Sequence, residues 1–265
     1  MRQLQTLTAL VVAAGMWLVP YAGAAAMDAG PTVAEQYLLA AVNQERAARG
    51  LGRLRRDPLL ARAATQHARA MAAHGSISHQ FAGEPELSAR GAGAGVPFSV
   101  ISENVGEAPS AVQMHDLWMH SEHHRSNLLD PAIDSAGISV IARGGELYAV
   151  EDFAKTVRPA SLGEQEFAIA GLIAKTGGQS GRVALDLRPA TISDARRTCA
   201  MATGYAGERR PWFVMRFTSD SLAVLPDQLK TQLATGRYRE ASVGACAGSA
   251  EGPFTSYNLA VLLYP

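Results

Sequence analysis

The residues able to do chemistry are unevenly spread. All seven histidines fall between positions 67 and 124, whereas both cysteines, Cys199 and Cys246, lie in the C-terminal half. Imidazole chemistry therefore belongs to the N-terminal half, as metal ligation, proton transfer or hydrogen bonding to a ligand. No serine or cysteine nucleophile is signalled: G-x-S-x-G is absent and both thiols lie outside the histidine-bearing region. H-E-x-x-H is absent too, which removes the commonest metalloprotease pattern. His120 and His124 are four apart and would form a metal pair if one helix ran through Glu122. His67 falls on an apolar helical stripe and reads as a core histidine. His74 lies near a helix end, where a cation favours the dipole.

The elements that must position these residues can be read from periodicity and caps. Val33, Tyr37, Leu38, Ala41 and Val42 repeat at helical spacing, and Gly50 closes that helix. Asp57 as N-cap and Pro58 at the first helical position open a second helix, whose stripe runs from Leu59 through Ala64 and His67 to Met71 before Gly75. Residues 76–109 show no sustained period and read as a long connection. Ser110 caps a third helix with Met114, Leu117 and Trp118 on its stripe. Two apolar runs, 136–142 and 147–154, are joined by Arg143-Gly144-Gly145-Glu146 and read as a hairpin.

From about residue 160 the character changes. Strands are expected near 167–173, 183–187, 212–218, 242–246 and 257–264, with helices near 193–203 and 226–234. This reads as a smaller α+β domain, residues 160–265, with a boundary near Arg158-Pro159; the alternative is an extension packed on the first sheet. No internal repeat is visible in the residues.

The first 24 residues read as a signal peptide: Arg2, an apolar run over residues 7–21, then Ala22-Gly23-Ala24 as a small-x-small cleavage site. That run falls short of the about 20 residues of a comfortable membrane span, and a retained anchor is the alternative. No later segment approaches spanning length, so no integral span is expected in the mature chain, and the expected location is secreted or periplasmic. In such a compartment one disulfide, Cys199–Cys246, is the natural reading; the alternatives are two free buried thiols or a redox pair, the latter without a C-x-x-C spacing to support it. Apolar residues make up 48% of the chain, enough for real cores. Lys+Arg and Asp+Glu balance at 24 each, which argues against a nucleic-acid partner or a strong attraction to anionic lipid.

Four fragments then fall in order: Val42-Asn43-Gln44-Glu45-Arg46, Ser78-His79, Ser102-Glu103-Asn104, and Trp118-Met119-His120-Ser121-Glu122-His123-His124-Arg125-Ser126-Asn127. In that order and spacing they resemble the CAP superfamily of cysteine-rich secretory, antigen and pathogenesis-related proteins, and most closely its short bacterial branch, over residues 33–155. The resemblance implies an α/β fold, an α–β–α sandwich of CAP type over residues 31–158, with the α+β domain following it. It implies a cleft in which His79, Glu103 and His124 gather. Ser121 stands where larger members carry a second glutamate, and Glu122 and His123 are the candidates to restore a fourth ligand. Two imidazoles and a carboxylate suit a divalent metal such as zinc. Arg125 and Asn127 are read as fixing the turn, and Trp118 as core. The leading functional expectation is a binding module for a small apolar ligand or a cell-envelope component. The alternatives are a metal-assisted hydrolase and an interaction protein with a vestigial cleft.

Overall fold

Helix starts and stops follow local chemistry. The computed structural model describes residues 30–177, 183–186, 188–247 and 252–265; the signal-peptide reading of residues 1–24 lies outside them. Helix α1 (Val33–Ala48) opens on a capping box, in which Thr32 and Glu35 satisfy one another's backbone N–H groups. After the two-residue strand β1 (Arg55–Arg56), Asp57 accepts from the N–H groups of Leu59 and Leu60 to start α2 (Pro58–His74), and Gly75 ends it in the left-handed region. Then come α3 (Leu87–Gly93), β2 (Phe98–Ala108), α4 (Ala111–His120) and α5 (Glu122–Leu128). The hairpin is β3 (Ser135–Arg143) and β4 (Glu146–Thr156), its turn made by Gly144 and Gly145 at φ +65° and +90°.

The first sheet has the order β1-β3-β4-β2, with β1 parallel to β3 and the other pairs antiparallel. One face is covered by α2, through Ala64, Ala68 and Met71 against Val105 and Val150. The other is covered by α1 and α4, through Leu38, Val42, Met114 and Trp118 against Ile138, Ala149 and Phe153. This is the expected α–β–α sandwich. Gly137 allows the approach of α2: a Cβ there would lie 2.2 Å from the Leu60 carbonyl carbon.

The second half contains α6 (Leu162–Gly177), β5 (Ala184–Leu185), α7 (Pro189–Cys199), β6 (Phe213–Ser219), α8 (Asp227–Ala234), β7 (Glu240–Cys246) and β8 (Tyr257–Tyr264). Two sequence expectations are corrected here and in the first half. Residues 167–173, expected as a strand, lie in α6, because Ile169 and Ile173 are buried one turn apart while Phe167 is 81% exposed. A short apolar run does not by itself distinguish the two periods. Within the supposed connection 76–109 lies the eleven-residue strand β2, hidden because Glu103 and Asn104 are polar yet buried and break the alternation.

A repeat also emerges that the residues do not display. The second sheet has the order β5-β7-β8-β6, again with its first pair parallel and the rest antiparallel. Helix α7 covers one face and α6 with α8 the other. The two copies share anchors as well as topology. Glu35 of α1 accepts the Val140 N–H at 3.1 Å, and Glu166 of α6 accepts the Ala245 N–H at 2.9 Å. Each of those amides lies five residues past the strand residue paired with the start of the short parallel strand, Ser135 and Glu240 respectively. Asp57 N–H bonds the Ala136 carbonyl and Asp186 N–H the Ala241 carbonyl, both at 2.9 Å.

Residues 31–265 form one compact body. The halves meet where β2 and β4 begin and end. Thr255 N–H bonds the Phe98 carbonyl at 2.7 Å, the Phe98 and Phe254 rings pack edge to face, and Asp220 accepts from both Ser99 and Lys155. The Cys199–Cys246 disulfide is formed, joining the end of α7 to the end of β7. No described helix is long and apolar enough to cross a membrane.

Candidate functional site

The register of β2 on β4 sets Glu103 opposite Asp152, on the sheet face that α2 covers. Glu103 is buried, and both of its oxygens are engaged. Oε1 accepts from His79 Nδ1 at 2.8 Å, and Oε2 accepts a short bond from Arg90 of α3. Arg90 is itself buried and also donates to the His79 and Pro85 carbonyls, each at 3.2 Å. A guanidinium and a carboxylate that leave water together each meet a charge-assisted partner, which offsets the cost of burying them.

The loop that presents His79 is staked from below. Fully buried His67 donates from Nε2 to the Ser78 carbonyl at 2.7 Å, and its Nδ1 is hydrogen-bonded to Glu84 Oε1 at 2.8 Å. Glu84 also accepts the Phe81 N–H at 3.1 Å. Burial works against the Glu84 charge, but the His67 hydrogen bond and charge hold its carboxyl below the usual range. Phe81 stacks on His74 with ring centroids 4.1 Å apart. His67 is thus a core residue, as expected, and also the anchor of the loop.

Because the carboxylate can only accept, His79 must donate from Nδ1, and its neutral form carries a lone pair on Nε2. The His79 side chain is 56% exposed. It opens on a cleft of about 380 Å³ whose walls include Gln80, Glu86, Ser102, His123 and Asn127. Ser102 brings a buried hydroxyl with no partner among the described residues. Behind Glu103 lies Asp152, fully buried and also unpartnered; burial first, and the Glu103 charge second, push its carboxyl well above the usual range. Burial and the neighbouring carboxylate thus both favour the protonated form of Asp152.

Of the residues the sequence nominates, His79 and Glu103 are brought into direct contact. His124 stands beside them on α5; its pKa is lowered by burial first and then by the charges of His123 and His79. Its carbonyl accepts from Asn104, which is held in turn by Asn127. Ser121 is the joint between α4 and α5, its N–H bonded to the Leu117 carbonyl. Glu122 lines a neighbouring open depression with Arg125 and Asp130 rather than the cleft, and His123 takes the wall position in its place. His120 donates to the Asp116 carbonyl on a helix that ends before His124, so the two do not form a pair.

Both Glu103 oxygens are engaged by His79 and Arg90, and among the described residues no group of three or more His, Cys, Asp or Glu is arranged to hold an ion. What the arrangement offers is one imidazole, oriented by a buried carboxylate, that can accept a hydrogen bond or a proton from a group in the cleft.

Arg90, Glu84 and Asp152 were not found from sequence. Arg90 and Glu84 lie in the stretch read as a connection. Asp152 did leave a signal, because Glu151 and Asp152 are consecutive acids inside the apolar run from Leu147 to Ala154. Other motif residues are structural. Asn43 bonds both the N–H and the carbonyl of Leu54, and fully buried Arg46 donates to the carbonyls of Gly52, Leu128, Asp130 and Ile133. Arg125 donates to the Met119 carbonyl, and Trp118 is core, with Nε1 donating to the Val105 carbonyl.

Residues 39–153 match the CAP family, described as the cysteine-rich secretory protein family. No curated protein matches the chain. Among solved structures, an extracellular protein with an SCP domain from Bacillus anthracis is similar at 23% identity, over 48% of this chain and 45% of that one, with a TM-score of 0.44. An outer surface protein from Borrelia burgdorferi is similar at 18% identity, over 46% of this chain and 92% of that one, with a TM-score of 0.44. A cysteine-rich secretory protein from Staphylococcus aureus is similar at 24% identity, over 46% and 39%, with a TM-score of 0.39. The chain thus spans less than half the length of the Bacillus and Staphylococcus proteins.

Proposed function

We propose that this protein, which carries a CAP domain across residues 39–153, is an exported binding protein whose His79 cleft takes a polar segment of a cell-envelope component. The observation that carries the reading is the buried Arg90–Glu103 pair, which holds the exposed His79 imidazole at the wall of an open cleft. Prepaid orientation of this kind serves a ligand that must be recognised through one well-aimed hydrogen bond. Gln80, Asn127 and Glu86 add amide and carboxylate groups for sugar hydroxyls or peptide amides. Export is supported by the disulfide and by the apolar leader. Residues 31–158 and 160–265 are proposed as two domains, each one copy of the repeated topology.

One observation favours a second reading, hydrolysis with His79 as general base. The 2.8 Å bond to Glu103 is the carboxylate–imidazole pairing that orients a base and stabilises it once protonated.

The test is an NMR titration of the imidazole signals with an N-acetylglucosamine tetramer and with a pentapeptide ending in D-alanyl-D-alanine. Saturable shifts of the His79 ring are expected with one of them, lost in His79→Ala and retained in His120→Ala. If neither probe moves that ring, or the alanine variant binds equally well, the binding reading fails. Product release that falls with His79→Gln would instead support hydrolysis.

A further inference from the structure

The second copy of the fold has dispensed with the chemistry of the first. Glu103 and Asp152 pair across β2 and β4, and Asp152 pairs onward with Gly137, two residues past Ser135. The same path through the second sheet runs from Val214 to Leu262 to Ser242, two residues past Glu240. Valine and leucine stand where the buried acids stand in the first copy, and no cleft histidine exists in the second half.

In place of that cleft, the opposite face of the second sheet carries an apolar pocket of about 230 Å³. Its walls are Phe167, Ala170 and Gly171 from α6, Ile192 from α7, and Ala241 and Val243 from β7. Comparison of the two copies explains why the space exists. Four residues after the Glu35 anchor, Leu39 packs against the first core; four residues after the Glu166 anchor stands Ala170. The next residue is Gly171, where a Cβ would meet nothing within 4 Å.

The two carboxylates beside the pocket are already committed. Glu166 receives Arg196 through Nε and Nη2 at 2.6 and 2.7 Å as well as the Ala245 N–H, and Asp186 receives Arg188. Among the described residues, no free charge remains there for an ionic ligand. An apolar cavity of roughly 150 Å³ already admits benzene. We propose that this pocket is a binding site for a small uncharged hydrocarbon ligand, one aromatic ring bearing a short alkyl chain. The site is independent of the His79 cleft.

The experiment titrates the full chain with n-butylbenzene, followed by ligand-observed NMR, and with 4-butylbenzoate as the charged counterpart. Saturable binding of n-butylbenzene is expected, with the benzoate weaker by at least about tenfold. Gly171→Leu should abolish binding and leave the unfolding midpoint near the wild-type value. If that variant does not fold, Ala170→Leu, which restores the leucine of the first copy, gives the same reading. His79→Ala should bind the probe unchanged, which separates this site from the cleft. Absence of saturable binding to the wild-type chain, or equal binding by a folded pocket-filling variant, would overturn the proposal.

Discussion

Replacing Glu151 by glutamine should flatten the dependence of stability on pH. Glu151 sits on β4 between Ala149 and Phe153, pointing into the core that α1 and α4 cover, with both oxygens unpartnered among the described residues. Burial alone lifts its carboxyl from 4.5 to about 8. The folded state therefore holds this proton more tightly than the unfolded chain between those two values. Its contribution to stability is complete below pH 4.5 and declines as pH rises towards and through 8. At about 1.4 kcal/mol per unit, the whole interval is worth about 5 kcal/mol, and the part between pH 6 and pH 8 about 2. Glutamine keeps the shape and two polar atoms but never ionises. Asp152, raised in the same direction, adds to the slope of both proteins and drops out of their difference. Urea titrations from pH 5.5 to 8.5 should show the wild-type midpoint falling more steeply than that of Glu151→Gln, with m unchanged. Parallel pH profiles would refute the claim that the native fold keeps this carboxyl neutral.

Other perturbations have signs set by named contacts. Arg90→Met removes the cation beside buried Glu103 and should cost about 3–5 kcal/mol in urea unfolding, the penalty of an uncompensated buried charge; a loss under about 1 would show that the pair is already hydrated. Cys199→Ser with Cys246→Ser opens a bridge of sequence separation 47 and should lower stability by about 4 kcal/mol, an effect that reductant should reproduce in the wild type. Gly137→Ala places a methyl 2.2 Å from the α2 backbone and should cost at least about 3 kcal/mol or abolish soluble expression; near-normal stability would mean that α2 can lift off the sheet.

The sequence reveals those parts of the fold whose signals are local. Asp57-Pro58 and Gly75 bracket α2, and Gly144-Gly145 turn the hairpin, because caps and turns depend on a few neighbouring residues. His79 and Glu103 are found through motif order. Their roles are not, because whether Glu103 binds a ligand or orients His79 depends on Arg90, which reaches it from another element. Strand β2 and helix α6 escape for related reasons: one buries polar residues that only tertiary partners justify, and the other is an apolar run that fits two periods. The repeated fold is invisible because its shared features are mostly backbone positions, such as the amides of Val140 and Ala245, which many residue types can supply.

The clamp between the halves bears on how the chain can be cut. Phe98 and Ser99 open the strand that bears Glu103 a few residues later, and Lys155 is the penultimate residue of the strand paired with it. All three are held by residues after position 215, while Val157 sits in the second core and donates to the Pro97 carbonyl. Truncation after residue 158 would strip the Phe98 carbonyl and the Lys155 ammonium of their partners and let the edge strand β2 fray towards Glu103. The binding geometry of the first half is then partly a property of the second, whose residues clamp the start of the strand that carries Glu103.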